Sequence, residues 1–451
     1  MITGLKLKNR PPMDNGFIFD HSRCVDCKAC IAACVLENGW TVMPRTVFAF
    51  NSERLPDIPL INLSMACNHC EIPVCLEGCP SGAIYRHPAT GAIVVDEAKC
   101  LGCKYCQWNC PYDAPKFDES SRVIVKCHLC YKGFKEGRIP ACTSACPTGA
   151  LSFGKLNDIT SIKSFPWIPD KQIKPSLKLT GQAHVKATTV VPADKFEPNL
   201  NKTTATYNSR NGNWVLVLFT FLTTLSVSAL FKSLIDGTFP QPWLFCVSLI
   251  IAGLVSLLHL GRKIRAWRAP VNIRRSPLSR EIAAFIIYSV LSCVAVILRM
   301  TGLLLVSSAA GLILLIFIDA VYYFADRSRK IIIHSGQTFL SALIIISFLT
   351  NSVLPFLFIA LLKLASSFFN MTSLQETVKN FGLRFMRFAI LLITGVMLIS
   401  GRYEINNIVI LIFLLGELLD RILFYIDFKP ININDLIYNN EIIFSNEKKR
   451  N

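Results

Sequence analysis

Residues 100–111 read CLGCKYCQWNCP, and this spacing decides the fold of the first third of the chain. Cys100, Cys103 and Cys106 follow one another at intervals of three, and Cys110 comes just before Pro111. A CxxCxxC turn can present three thiolates to three corners of an iron–sulfur cubane. The fourth cysteine, ahead of a proline, then leaves on a helix toward a neighbouring cluster. Three more groups lie outward of this one: Cys24, Cys27, Cys30 and Cys34; Cys67, Cys70, Cys75 and Cys79 before Pro80; and Cys127, Cys130, Cys142 and Cys146 before Pro147. Zinc sites also use paired CxxC units. Three ligands in one tight turn, with no histidine needed to complete any group, favour iron.

An exchange of fourth cysteines implies paired clusters. The third group joins the second through the apolar stretch IVVDEAKC, residues 93–100, and the two outer groups then pair with each other. The expected inner ligand sets are Cys67, Cys70, Cys75 with Cys110, and Cys100, Cys103, Cys106 with Cys79. The outer sets are Cys24, Cys27, Cys30 with Cys146, and Cys127, Cys130, Cys142 with Cys34. Four [4Fe–4S] clusters are expected, and no three-iron one. Four clusters in series suit one-electron transfer between a donor and an acceptor, and metal ligation explains how so small an apolar core could fold.

The other numbers divide the chain. Of its 451 residues 52% are hydrophobic, yet sixteen of the eighteen cysteines lie between Cys24 and Cys146, and every long apolar run begins after Trp214. A secreted disulfide scaffold is disfavoured by the metal-like spacing. The opening stretch MITGLKLKNRPPMDNG has no apolar core, so no export leader is expected. The formal charge of +17 raises nucleic acid as a partner. No recognition module accompanies it, and many of the positives flank apolar spans, so no nucleic-acid partner is expected.

Four regions follow: an iron–sulfur domain at 1–155, a polar extended tail or linker at 156–211, a transmembrane domain at 212–429 and a polar tail at 430–451. Within the linker, Leu177–Leu179 and Thr188–Val191 could be short strands, and the stretch could wrap its own domain or meet a partner. Apolar runs at about 214–235, 243–261, 281–299, 303–324, 333–350, 353–369, 383–400 and 406–426 approach the roughly 20 residues that a crossing helix needs. The fifth and sixth, parted by Asn351 and Ser352, read either as a tight hairpin or as one kinked span. The fold expected is therefore an α+β ferredoxin-like domain of two paired two-cluster modules, then an all-α polytopic transmembrane bundle of seven or eight spans. Arg262, Lys263, Arg265, Arg268, Arg274, Arg275 and Arg280 crowd the loop after span two, and Arg327, Arg329 and Lys330 that after span four. The positive-inside rule puts these loops, and with them the cysteine domain, in the cytoplasm. Cys246 and Cys293, each alone in an apolar span, read as small buried hydrophobes.

CNHCEIPVCLEGCPSGAIYRHPATGAIVVDEAKCLGCKYCQWNCPYDAP (67–115) and KCHLCYKGFKEGRIPACTSACPTGAL (126–151) closely resemble the four-cluster electron-transfer subunit of the dimethyl sulfoxide reductase family of molybdoenzymes. The cover is residues 14–155. HLGRKIRAWRAPVNIRRSPLSREI (259–282) resembles the anchor subunit of the same family, so the chain looks like a fusion of two subunits that are commonly separate. The resemblance implies an anchor that oxidises menaquinol, and clusters that pass electrons to a separate subunit carrying a molybdenum bis-guanine-dinucleotide cofactor. It places the anchor's histidine on His259 and its acidic residue on Glu281. On the residues alone, His259 ends span two and Glu281 opens span three, on one face of the membrane. Quinol oxidation releases protons, and a histidine titrating near neutrality is a suitable first acceptor. The alternative roles are capping or snorkelling for His259, and an ion pair with Arg262 or Arg280 for Glu281.

The expected function is that of an electron-transfer and anchor subunit of a menaquinol-dependent molybdoenzyme in the bacterial inner membrane. Its partners would be the catalytic subunit, the menaquinone pool and the bilayer. Family members are often exported with their catalytic subunit, which a fused anchor makes awkward, and the expectation stays with the cytoplasmic side. One rival runs the same wire in reverse, as in a formate or sulfur-compound dehydrogenase. Another is a non-respiratory iron–sulfur scaffold or sensor. An ion-pumping role would need ionisable groups buried mid-span, and Asp319 and Glu417–Asp420 read as isolated or near span ends.

Overall fold

A computed structural model describes residues 14–50, 61–157, 159, 173–181, 213–325, 337–369, 381–400 and 407–428. The chain divides into two compact units, Met1–Thr204 with Pro430–Asn451, and Ala205–Lys429.

The cysteine-bearing unit is built from very short elements. Strand β1 (Asn15–Asp20) runs antiparallel to β8 (Leu151–Lys155) and parallel to β9 (Leu177–Thr180). Three two-stranded antiparallel pairs complete the strands: β2 (Thr46–Phe50) with β3 (Ile61–Met65), β4 (Ile84–Arg86) with β5 (Ile93–Val95), and β6 (Lys116–Asp118) with β7 (Val123–Val125). Two-stranded ribbons of this size are marginal on their own in water. Helices α1 (Ala29–Asn38) and α4 (Ala141–Ser144), from the outer cysteine groups, pack on each other, as do α2 (Val74–Glu77) and α3 (Tyr105–Asn109) from the inner ones. Cysteines make up much of the interior: Cys30, Cys67, Cys110, Cys127 and Cys142 share one apolar cluster with Phe17 and Phe19, and Cys75, Cys79, Cys100 and Cys106 another with Ile93 and Ile124.

The linker expected at 156–211 is partly structured. Ile173 is core, Lys174 bridges to Glu71 at 3.1 Å, and β9 extends the β1 sheet, so 173–181 wraps its own domain. Gly16 permits this, because a Cβ there would lie 2.4 Å from the Ser176 carbonyl oxygen. Thr188–Val191, the loop of Arg327, Arg329 and Lys330, and the tail 430–451 lie outside the described residues.

The second unit is helical among its described residues: α5 (Asn213–Asp236), α6 (Pro242–Leu257), α7 (Pro277–Ile297), α8 (Thr301–Ala325), α9 (Gln337–Leu349), α10 (Val353–Phe369), α11 (Phe381–Ser400) and α12 (Asn407–Asp427). Four of them, α5, α7, α8 and α11, are long and apolar enough to cross a membrane. The others depart from the sequence expectation. Helix α6 stops at Leu257, short of the run expected to 261, and its 16 residues rise only about 24 Å. The described part of α9 has 13 residues, and α12 carries Glu417, Asp420, Arg421 and Asp427. Helices α9 and α10 are an antiparallel hairpin, not one kinked span: Asn351 turns at φ +55°, and Gln337 at one end donates to Ser366 at the other, 2.7 Å.

Helix α5 packs against α6, α8, α9 and α12 through small residues. Thr220, Thr223, Thr224 and Ser228 are buried along it and satisfy their hydroxyls on carbonyls one turn back. Ser226 accepts from Tyr288 of α7 at 3.1 Å. Small hydroxylated residues let backbones approach closely where no water drives association.

Candidate functional site

All four CxxC turns share one backbone device. The residue just before the second cysteine is left-handed in each: Asp26 (φ 52°), His69 (φ 45°), Gly102 (φ 67°) and Leu129 (φ 64°). Such a turn folds the loop back on its own sulfur, as the Leu129 amide shows by donating to Cys127 Sγ at 3.4 Å. The Cys-Pro segments share a second device. The amides of Gly82, Asp113 and Gly149 donate back to the carbonyls of Cys79, Cys110 and Cys146, and all three residues have positive φ. Proline at the second position presets this turn.

The turns gather the thiols. Cys70 lies within electrostatic reach of Cys67, Cys110 and Cys75. Cys103 and Cys106 are likewise near Cys79 and Cys100. Cys34 is near Cys142 and Cys130, and Cys127 near Cys34 and Cys142. Cys24 is near Cys30 and Cys146, while Cys27 is exposed on its loop. Successive groups also touch electrostatically, through Cys75 with Cys79, Cys127 with Cys67, and Cys34 with Cys30. Among the described residues no three His, Cys, Asp or Glu side chains converge closely enough to hold a single ion.

Burial makes bare thiolates costly here. It pushes Cys34, Cys103 and Cys110 up to about 12, and Cys70 and Cys75 higher still. A bound metal reverses this, because coordination deprotonates a thiol outright. Three observations fit such a group. An apolar cavity is lined by Cys67, Cys70, Cys75 and Cys110 together with Lys126, Tyr112 and Ile173. Lys126 and Arg45 are buried among the thiols, 3% and 2% exposed. His69 accepts from the Ile93 amide at Nδ1, and its buried Nε2 has no hydrogen-bond partner among the described residues. Burial, reinforced by Lys126, drives His69 well below its usual range, so the neutral ring carries its proton on Nε2 as a donor.

In the helical unit, His259 falls in the turn just past α6, half-buried, instead of closing the helix. Glu281 does not open its helix. Ser276 caps α7, its Oγ accepting the Ser279 amide at 3.3 Å, and Glu281 sits one turn in, 7% exposed. Its electrostatic neighbours are Asp319 and Tyr322 of α8 and Tyr425 of α12. Arg280 donates to the carbonyls of Ile273 and Arg274, so it anchors the loop. Cys246 of α6 and Cys293 of α7 lie within electrostatic reach of each other, and both are half-buried.

Asp319, Glu417 and Asp420 are not isolated either. Lys363 of α10, fully buried, lies 2.6 Å from Glu417 and 2.7 Å from Asp420, and Arg387 of α11 lies 2.7 Å from Asp420. Arg421 donates to Thr338 at 2.9 Å and to Ser341 at 3.2 Å. Asp319 accepts the amides of Thr338 and Phe339, and the Tyr322 and Tyr425 hydroxyls bond to each other. Five helices thus meet in a buried ionic layer that the sequence reading missed. The residues joined are tens of positions apart, beyond any local pattern.

A family of 4Fe-4S dicluster domains matches residues 59–156. The sequence is 38% identical over 154 residues to one chain of the anaerobic dimethyl sulfoxide reductase of Escherichia coli K12, a match covering 32% of this protein and 75% of that one. It is 34% identical over 164 residues to a subunit of the sulfite dehydrogenase of Allochromatium vinosum, covering 31% and 68%. It is 35% identical over 150 residues to protein NrfC of Escherichia coli K12, covering 32% and 67%.

Proposed function

Because this protein belongs to the family of iron–sulfur electron-transfer subunits represented in the anaerobic dimethyl sulfoxide reductase of Escherichia coli, we propose that it is the electron-transfer and membrane-anchor subunit of a menaquinol-oxidising molybdoenzyme. The observation that carries this reading is the succession of four thiol groups, each within electrostatic reach of the next. When bound, four [4Fe–4S] clusters would supply one-electron transfer in series.

The chain's own residues then have separate tasks. Cys67, Cys70, Cys75 and Cys110 hold one cluster, and Cys79, Cys100, Cys103 and Cys106 the next. Cys34, Cys127, Cys130 and Cys142 hold a third, and Cys24, Cys27, Cys30 and Cys146 the fourth. The packing of α1 on α4 and of α2 on α3 supports the pairing into outer and inner modules. The eight described helices serve as a multi-pass anchor in the bacterial inner membrane, with α9 and α10 as separate arms and the cysteine domain on the cytoplasmic side. His259 and Glu281 bind menaquinol and accept its two protons. Glu281 suits that role by its burial beside Tyr322 and Tyr425, since an intramembrane carboxyl marks a functional site. A separate subunit with a molybdenum bis-guanine-dinucleotide cofactor receives the electrons and reduces an S-oxide, N-oxide or related acceptor.

The test is anaerobic purification with the accompanying soluble subunit, iron and molybdenum counts, and EPR after addition of a menaquinol analogue. Sixteen irons per chain are expected, with quinol-driven reduction lost in His259→Ala and in Glu281→Gln while dithionite still reduces the clusters. Far fewer irons would sink the four-cluster reading, and unchanged quinol kinetics would remove these residues from the site. The relative from a sulfite dehydrogenase favours a second reading, the same path run toward quinone. Clusters reduced by the catalytic subunit's substrate, but never by quinol, would select it.

A further inference from the structure

Lys126 lies where two of the proposed ligand sets meet. Its Nζ donates to Cys67 Sγ at 3.2 Å, to the Cys127 carbonyl at 3.0 Å and to the Ile93 carbonyl. Cys67 belongs to an inner set and Cys127 to an outer one, and their sulfurs sense each other. Lys126 follows β7, whose three residues are all buried, and is itself 3% exposed. Among the described residues it forms no ion pair with a carboxylate. Burying an ammonium without a counter-charge is expensive, and such a group normally loses its proton. Here the nearest sulfur is Cys67 Sγ, 3.2 Å from Nζ, so on the four-cluster reading the counter-charge is the thiolate-ligated cluster itself.

Arg45 repeats the arrangement one junction further along. It is 2% exposed, donates to Ser64 Oγ at 2.9 Å, and Ser64 in turn contacts Cys30 Sγ at 3.4 Å. Its charge is felt by Cys142, Cys127, Cys30 and Cys34, members of the two outer sets. Both outer junctions between successive sets thus hold a buried cation.

We propose that Lys126 and Arg45 are positioning charges for electron transfer, each shared by two adjacent cluster sites and each raising the reduction potentials of both. Reduction adds one negative charge to a cluster, so a fixed cation beside it favours the reduced form. Net charge and hydrogen bonds to the sulfurs are the terms that set such potentials. A charge at the junction raises both neighbours together and keeps the step between them small. This inference rests on the four-cluster reading above.

The test is an EPR-monitored redox titration of the full-length chain, purified anaerobically with its clusters, as wild type, Lys126→Met, Lys126→Arg and Arg45→Met. Lys126→Met is expected to lower the midpoints of two signals at least tenfold in the one-electron equilibrium, about 59 mV. Lys126→Arg should hold them near the wild-type values. Arg45→Met should lower a different pair that shares one member with the first. Unchanged midpoints in a fully loaded Lys126→Met protein would overturn the proposal, and so would equal shifts in the Met and Arg variants. Loss of iron from Lys126→Met but not from Lys126→Arg would also overturn it, since the cation would then serve assembly rather than potential. A wild-type iron count far below sixteen would instead sink the four-cluster reading.

Discussion

The left-handed residue of each CxxC turn is Asp26, His69, Gly102 or Leu129, four side chains with nothing in common. For the three that are not glycine this conformation costs on the order of 1–3 kcal/mol, and it persists only where the surroundings over-determine it. What the turns share is the cysteine spacing, and on the proposed cluster reading their backbone follows the ligand geometry and not the local residue. The proposed exchange of fourth cysteines makes a prediction at this scale. Cys110→Ser should erase or alter the same EPR signal as Cys70→Ser and leave intact the one lost in Cys103→Ser. If Cys110→Ser and Cys103→Ser abolished one signal in common, the exchange would be wrong. The succession of cysteine groups could be read because such spacing is local in the chain. Lys126 and Arg45 were not, since a lone basic residue beside an apolar run looks the same in sequence whether it reaches water or a buried sulfur.

Helix positions were legible for a similar reason, and helix limits were not. Each of the eight helices among the described residues falls on an apolar run, but a run says nothing about where a cap or turn intervenes. Ser276 starts α7 at Pro277, so Glu281 enters the helix interior, and α6 ends before His259. Hydropathy also tolerates one charge in a long apolar window, which is how Lys363 escaped notice in α10. Its partners lie 54 and 57 positions away. Removing one member of a buried ion pair strands the others and typically costs about 3–5 kcal/mol. Lys363→Met should therefore destabilise the helical unit by roughly that amount in mixed-micelle unfolding, with iron content unchanged. A cost under about 1 kcal/mol would mean that the ionic layer adds little to the bundle. The apolar cluster in which Phe348 stacks on Phe413 at 4.1 Å and Phe356 packs against both should be less sensitive to a conservative Phe→Leu change.

The molecule as a whole joins two units stabilised by different means. The cysteine unit has strands of three to six residues and an interior in which thiols take a large share, so metal ligation would supply much of its folding energy. The helical unit has long apolar helices packed on one another. Oxidative removal of iron in the presence of a chelator should abolish the tertiary signature and protease resistance of the first unit, while far-UV helical ellipticity from the second persists. Simultaneous loss of both would show that they do not fold independently. The ionic layer also constrains how the protein is made. Lys363 is synthesised before Glu417 and Asp420, so a growing chain that has yet to reach α12 lacks the two carboxylates that meet its ammonium. The helix that carries Glu417 and Asp420 is therefore the one that completes this ionic layer. Nascent chains ending before Glu417 should be substrates for membrane quality control, while those that include Asp420 should escape it.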